Sequence, residues 1–251
     1  MIPASLREQH SRRDLALSLA LLALLLWWEA LGWDMAAARW YGGTDGFALR
    51  GNWWTQRLLH DGGRLLSGLA LVAALILAWR PLGPTRSTRR RRYAWLGLVG
   101  ACLLLVPLIK QFSRSSCPWD LTNFGGTASY VPHWMLGVVD GGPGHCFPSG
   151  HAVAAFAFLP LYFQWRIHRP LLARTTLALV LGAGALFGWA QLARGAHFPS
   201  HTLWSGWLCW AVGAIGARVL ERPSLSGATA PIGWVPLSAG ESAAAATARA
   251  A

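Results

Sequence analysis

The sequence predicts an all-α polytopic membrane protein, a bundle of six transmembrane helices. Three observations predict it. Of 251 residues, 54% are hydrophobic and only 13% charged, against about 25% charged in an ordinary soluble domain. Apolar runs of near-bilayer length recur between residues 15 and 220. The 22 Lys and Arg outnumber 10 Asp and Glu, but they flank the apolar runs. That pattern suits anionic lipid rather than nucleic acid.

Residues 1–14, with Arg7, Arg12 and Arg13, form a cytoplasmic tail. The first span runs from Leu15 to about Trp33, with Trp27, Trp28 and Trp33 as an interface anchor. No small-residue cleavage site follows it, so it reads as a helix rather than a signal peptide. Asn52–His60 reads as a short amphipathic helix in the headgroup region, and Leu65–Trp79 as the second span. The run Arg80–Arg92 is a basic turn of the kind retained in the cytoplasm. Ala94–Ile109 is the third span and ends at Lys110, the chain's one lysine. A polar loop, 111–149, leads to the fourth span, Gly150–Trp165. The fifth is Thr175–Ala193 and the sixth Thr202–Leu220, so 15–220 is the membrane domain. Residues 221–251, rich in Ala, Gly, Ser and Pro, read as a disordered cytoplasmic tail. On this arrangement 15 basic residues fall on the side of the termini and 7 on the other. The termini are therefore cytoplasmic, in a plasma or bacterial inner membrane.

Three segments then share the outer face: Lys110 with Arg114, Ser149-Gly150-His151, and Arg194 with His197. Pro148-Ser149-Gly150 turns the chain and presents backbone N–H groups at a helix N-terminus, an anion site. Were the third helix to continue one turn, Arg114 would share a face with Lys110; the alternative for each cation is snorkelling to headgroups. Two histidines with several cations suit phosphoryl transfer. One attacks phosphorus, the other protonates the leaving oxygen, and the cations hold the equatorial oxygens.

These residues resemble the type 2 phosphatidic acid phosphatase superfamily, which includes the vanadium haloperoxidases. Its pattern is Lys-x6-Arg-Pro, Pro-Ser-Gly-His and Ser-Arg-x5-His-x3-Asp. The middle part stands intact as Pro148-Ser149-Gly150-His151. Counting from Lys110, the family's first arginine falls on Cys117, before Pro118, and Arg114 is the substitute. In the third part the arginine falls on Gln191, with Arg194 as substitute, and the aspartate falls on His201. The resemblance implies His197 as nucleophile and His151 as acid, with Lys110, Arg114, Ser149, Gly150 and Arg194 on the phosphate. His201, Asp140 or Asp120 would orient His197. It implies a lipid carrying a phosphate or diphosphate as substrate, no cofactor and no metal. Hydrolysis and transfer to another lipid share the intermediate; a non-catalytic lipid-binding or transport member is a further alternative. So is a metal site on His197 and His201 with His145 and His151, although no carboxylate is spaced to complete one. Cys102 and Cys209 lie in spans as apolar filler. Cys117 and Cys146 lie in the outer loop, where a disulfide is expected and two free thiols are the alternative.

Overall fold

A computed structural model describes residues 4–81, 87–135 and 137–221. Arg86 of the basic turn and the tail beyond Glu221 lie outside the described residues. The chain is mostly helical: α1 (Ala4–Ala30), α2 (Trp33–Arg39), α3 (Gly63–Trp79), α4 (Arg89–Phe112), α5 (Val153–Phe156), α6 (Leu159–Trp165), α7 (Pro170–Ala193) and α8 (Pro199–Leu220). Among the described residues the sheet is one hairpin of two-residue strands, Gly42–Gly43 against Gly46–Phe47.

Local chemistry sets the boundaries. α1 breaks at Gly32, whose φ of 65° suits glycine, and α2 leaves at 68°. Trp54–Gly62 is wound as a π-helix and runs straight into α3. Asn52–His60 is therefore not a separate surface helix, as the sequence reading had it, but the head of the second long helix. The Thr88 hydroxyl caps α4 by accepting from Arg91 N at 3.3 Å. Pro170 and Pro199 open α7 and α8, where a missing N–H costs nothing.

Four helices are long and apolar enough to cross a membrane, Trp54–Trp79, Arg89–Phe112, Pro170–Ala193 and Pro199–Leu220, and the bent pair α1–α2 makes a fifth. The expected fourth span differs. It is two short helices within Val153–Trp165, about 20 Å of helix against about 30 Å of hydrocarbon. Its position explains how this is tolerated. Leu159 and Phe163 are among the most buried residues, packed with Trp95, Val99 and Cys102 of α4 and Trp210 of α8. Broken helix is admissible at membrane depth where protein, not lipid, surrounds it. Glycines bring the neighbours close: a Cβ on Gly184 would lie 2.1 Å from the Phe156 ring, and one on Gly213 2.6 Å from Phe163.

The two ends of the bundle differ. At one, Arg166 pairs with Asp14 at 2.7 Å and with Glu221 at 3.2 Å. At the other, the end of α4, the end of α7 and the start of α8 come together. α8, 22 residues long, separates the ends by about 33 Å. A second apolar cluster, Ala38, Phe47, Leu121, Phe124, Ala128 and Phe198, roofs this second end.

Candidate active site

The turn at 149–151 is stapled to α8. Ser149 N donates to His201 O at 3.0 Å, and the Ser205 hydroxyl donates to Ser149 O at 2.9 Å. Ser149 is fully buried and its hydroxyl accepts from Ala152 N at 3.4 Å. The expectation of a free row of N–H groups here is thus corrected: Ser149 N is already spent, and the helix that follows begins only at Val153. Gly150 is different, because a Cβ there would meet nothing within 4 Å. It faces a cavity of about 400 Å³, walled by Gly150, His151 and Phe158 on one side and by Arg64, Ser67, Leu71 and Leu103 on the other.

The histidines form a row of rings. His151 lies 6.3 Å from His197, His197 lies 5.7 Å from His201, and His201 lies 6.2 Å from His133, between centroids. His197 is buried, and its backbone N–H donates to Gln191 O. Burial holds its imidazole well below the ordinary value, and the nearby Lys110 charge adds to this. Burial first, then the charges of His60, Lys110, Arg64 and Arg194, push His151 down to about 3. Both rings are therefore neutral at pH 7 with no anion among them.

The cations divide. Lys110, half-buried at the end of α4, bears on both rings. Arg194 is buried; its Nε donates to Arg50 O at 3.1 Å and its charge reaches His151. Arg114 does not join them. α4 ends at Phe112 and Ser113 is extended, with ψ 130°, so the one-turn relation to Lys110 is lost. Arg114 lines instead a larger, mainly apolar cavity of about 860 Å³ with Glu29, His133, Phe147 and Trp204. There Glu29 accepts from Trp204 Nε1 at 2.8 Å and lies 3.4 Å from His133 Nε2. Burial takes His133 down to about 4, so this contact is not an ion pair at pH 7.

The aspartates are also placed elsewhere than expected. Asp140 is buried and accepts from Ser116 N, the Ser116 hydroxyl and Gly142 N, which folds the outer loop. Asp120 accepts from Cys117 N at 3.3 Å. Neither carboxylate has a hydrogen bond to His197 among the described residues. What meets His197 Nδ1 is sulfur: Cys146 Sγ lies 3.5 Å away and is bonded to Cys117 Sγ. Cys146, His197 and His201 each bring a ligand-type atom within 4.8 Å of one another, but a disulfide sulfur offers no thiolate. His201 Nδ1 has no partner among the described residues.

Sequence reasoning missed Asp34, His60 and Arg64. Asp34 on α2 accepts from Ser200 N at 3.0 Å and from the Ser200 hydroxyl, so it caps α8 beside His201. His60 stacks on His151 with centroids 3.9 Å apart. All three lie in the mixed stretch before or at the start of the second long helix, where no spacing pattern singles them out.

A helical membrane scaffold thus gathers buried neutral histidines, cations and an open glycine turn at one end. A family model describing the PAP2 superfamily matches residues 92–223, more than half of the chain, and the protein belongs to that superfamily. The matched region holds Lys110, Ser149–His151, Arg194 and His197 and leaves out α1–α3. No curated protein and no solved structure gives a significant match. Members of the superfamily are generally phosphatases acting on phosphate esters.

Proposed function

We propose that the protein is an integral membrane phosphatase that removes a phosphate or diphosphate group from a lipid through a phosphohistidine. The observation that supports this best is the convergence of the end of α4, the 149–151 turn and the Arg194–His197 loop around one row of histidines. His197 Nε2 attacks phosphorus as the bond to the leaving oxygen breaks, and His151, protonated once the anion is bound, gives that oxygen its proton. Water, deprotonated by His151, then breaks the P–N bond and frees His197. Lys110, Arg194 and the Gly150 backbone hold the phosphoryl oxygens. Transfer to a second lipid would use the same intermediate with a different acceptor.

On this reading all six apolar segments traverse the bilayer, the Arg166 end faces the cytoplasm, and the histidine end faces outward. The test is phosphate release from a panel of lipid mono- and diphosphates by the purified protein, with and without chelator. Release that survives chelator, with an acid-labile phosphoenzyme lost in His197→Ala, is the expected result. Full activity of His197→Ala, or complete loss with chelator, would overturn it.

A further inference from the structure

The family match begins at residue 92, yet residues before it enter the cavity at Gly150. His60 lies on His151, rings 3.9 Å apart and inclined by 36°, and its Nδ1 is 2.8 Å from Asp61 Oδ1. Arg64, four residues on and so on the same helix face, lines the 400 Å³ cavity with Gly150 and His151. No carboxylate pairs with Arg64 among the described residues. The exposed Arg64 stands on a helix segment tied on both sides. Gly63 packs so closely on α7 that a Cβ would lie 2.8 Å from the Phe187 ring. The Ser67 hydroxyl donates to Ala154 O at 2.7 Å, which joins α3 to α5.

A phosphate dianion placed here needs more positive charge than the matched region supplies. Arg114 has left for the other cavity, and Gln191 is buried, with its backbone oxygen bonded to Ala196 N and His197 N. Lys110 and Arg194 remain, and Arg194 already gives its Nε to Arg50 O. We propose that Arg64 is a phosphoryl-binding residue that enters from the second long helix, and that His60, steadied by Asp61, positions the His151 ring by lying against it. This rests on the phosphatase reading above for its chemistry, but the binding itself needs no turnover. The charge of Arg64 bears on His151. Arg64 is a guanidinium with no competing carboxylate among the described residues, and a tetrahedral anion at Gly150 provides the oxygens for it.

The test uses the full chain in nanodiscs, with orthovanadate and inorganic phosphate as probes and their dissociation constants read by calorimetry. Arg64→Ala should weaken both by about 10- to 100-fold, the size expected for one lost charge-assisted contact, and Arg64→Lys should recover part of it. Arg39→Ala, which removes a cation from the same end but not from the cavity, should bind as wild type. His60→Ala should lower kcat several-fold with KM nearly unchanged, and His60→Phe, which keeps the stack, should restore most of it. Melting temperatures accompany each variant, and Arg64→Gln replaces any Arg64→Ala that does not fold. Anion binding by Arg64→Ala within twofold of wild type, or none by the wild type, overturns the assignment of Arg64. Equal loss in His60→Ala and His60→Phe overturns that of His60. If the wild type binds vanadate but releases no phosphate from lipids, the phosphatase reading fails while the Arg64 site stands.

Discussion

At the scale of single residues, the unusual feature is a pair of histidines kept neutral by burial beside cations. The sign of the consequence is fixed. Their folded pKa lies below the unfolded value of about 6.5, so the empty protein loses stability as pH falls through 6.5 toward the folded value, about 3 for His151. A bound phosphate dianion opposes both causes of the shift and draws a proton onto His151. Vanadate or phosphate binding at pH 7.5 should therefore take up protons, seen as a dependence of the binding enthalpy on the buffer's ionisation enthalpy. Proton exchange identical in wild type and His151→Ala would contradict the neutral ground state. His151→Ala should abolish most of the uptake. The Ser149–His151 turn was legible in the sequence because Pro148–His151 is a contiguous segment, and contiguity survives folding. Arg114 was misread because its role hung on whether one helix ran a turn past Phe112. Asp140 was misread because a polar loop offers an aspartate many backbone N–H partners nearer than His197.

At the scale of elements, the start of α8 is the joint that sets the site. Its first turn carries His201, holds Ser149 through a backbone bond, and is capped from outside by Asp34. Asp34→Ala leaves Ser200 N and its hydroxyl without their partner and should cost about 1–3 kcal/mol, read as a lower melting temperature in detergent. Ser200→Ala keeps the cap to the backbone and should cost less. Equal melting for wild type and Asp34→Ala would mean the cap contributes nothing. No local pattern in the sequence could pair Asp34 with Ser200, 166 residues apart. The helix periods and end signals were readable, since they depend on neighbours in the chain. The break inside Val153–Trp165 was not, because it depends on four surrounding helices hiding it from lipid.

At the scale of the whole molecule, the Arg166–Asp14–Glu221 cluster and the histidine row occupy opposite ends of the bundle, and the arginines that open α4, Arg89–Arg92, lie toward the former. On the proposed orientation, single cysteines at positions 88 and 135 should label from opposite sides of the membrane. The native pair must stay oxidised and unreactive for this to be read. Labelling from one side would break the proposed traverse of α4.

The Cys117–Cys146 bond also decides what the histidines cannot do. Reduced, Cys146 would place a thiol 3.5 Å from His197 Nδ1, with His201 alongside. A sulfur and two imidazole nitrogens within 4.8 Å are three of the four ligands zinc favours. Zinc should therefore leave the oxidised protein active and inhibit the reduced one, with chelator restoring it. Cys146→Ser should remove the sensitivity. Equal inhibition of both redox forms would place the metal elsewhere. The disulfide, on this view, is a guard against metal poisoning of the proposed nucleophile, whose neighbours would otherwise make it a trap.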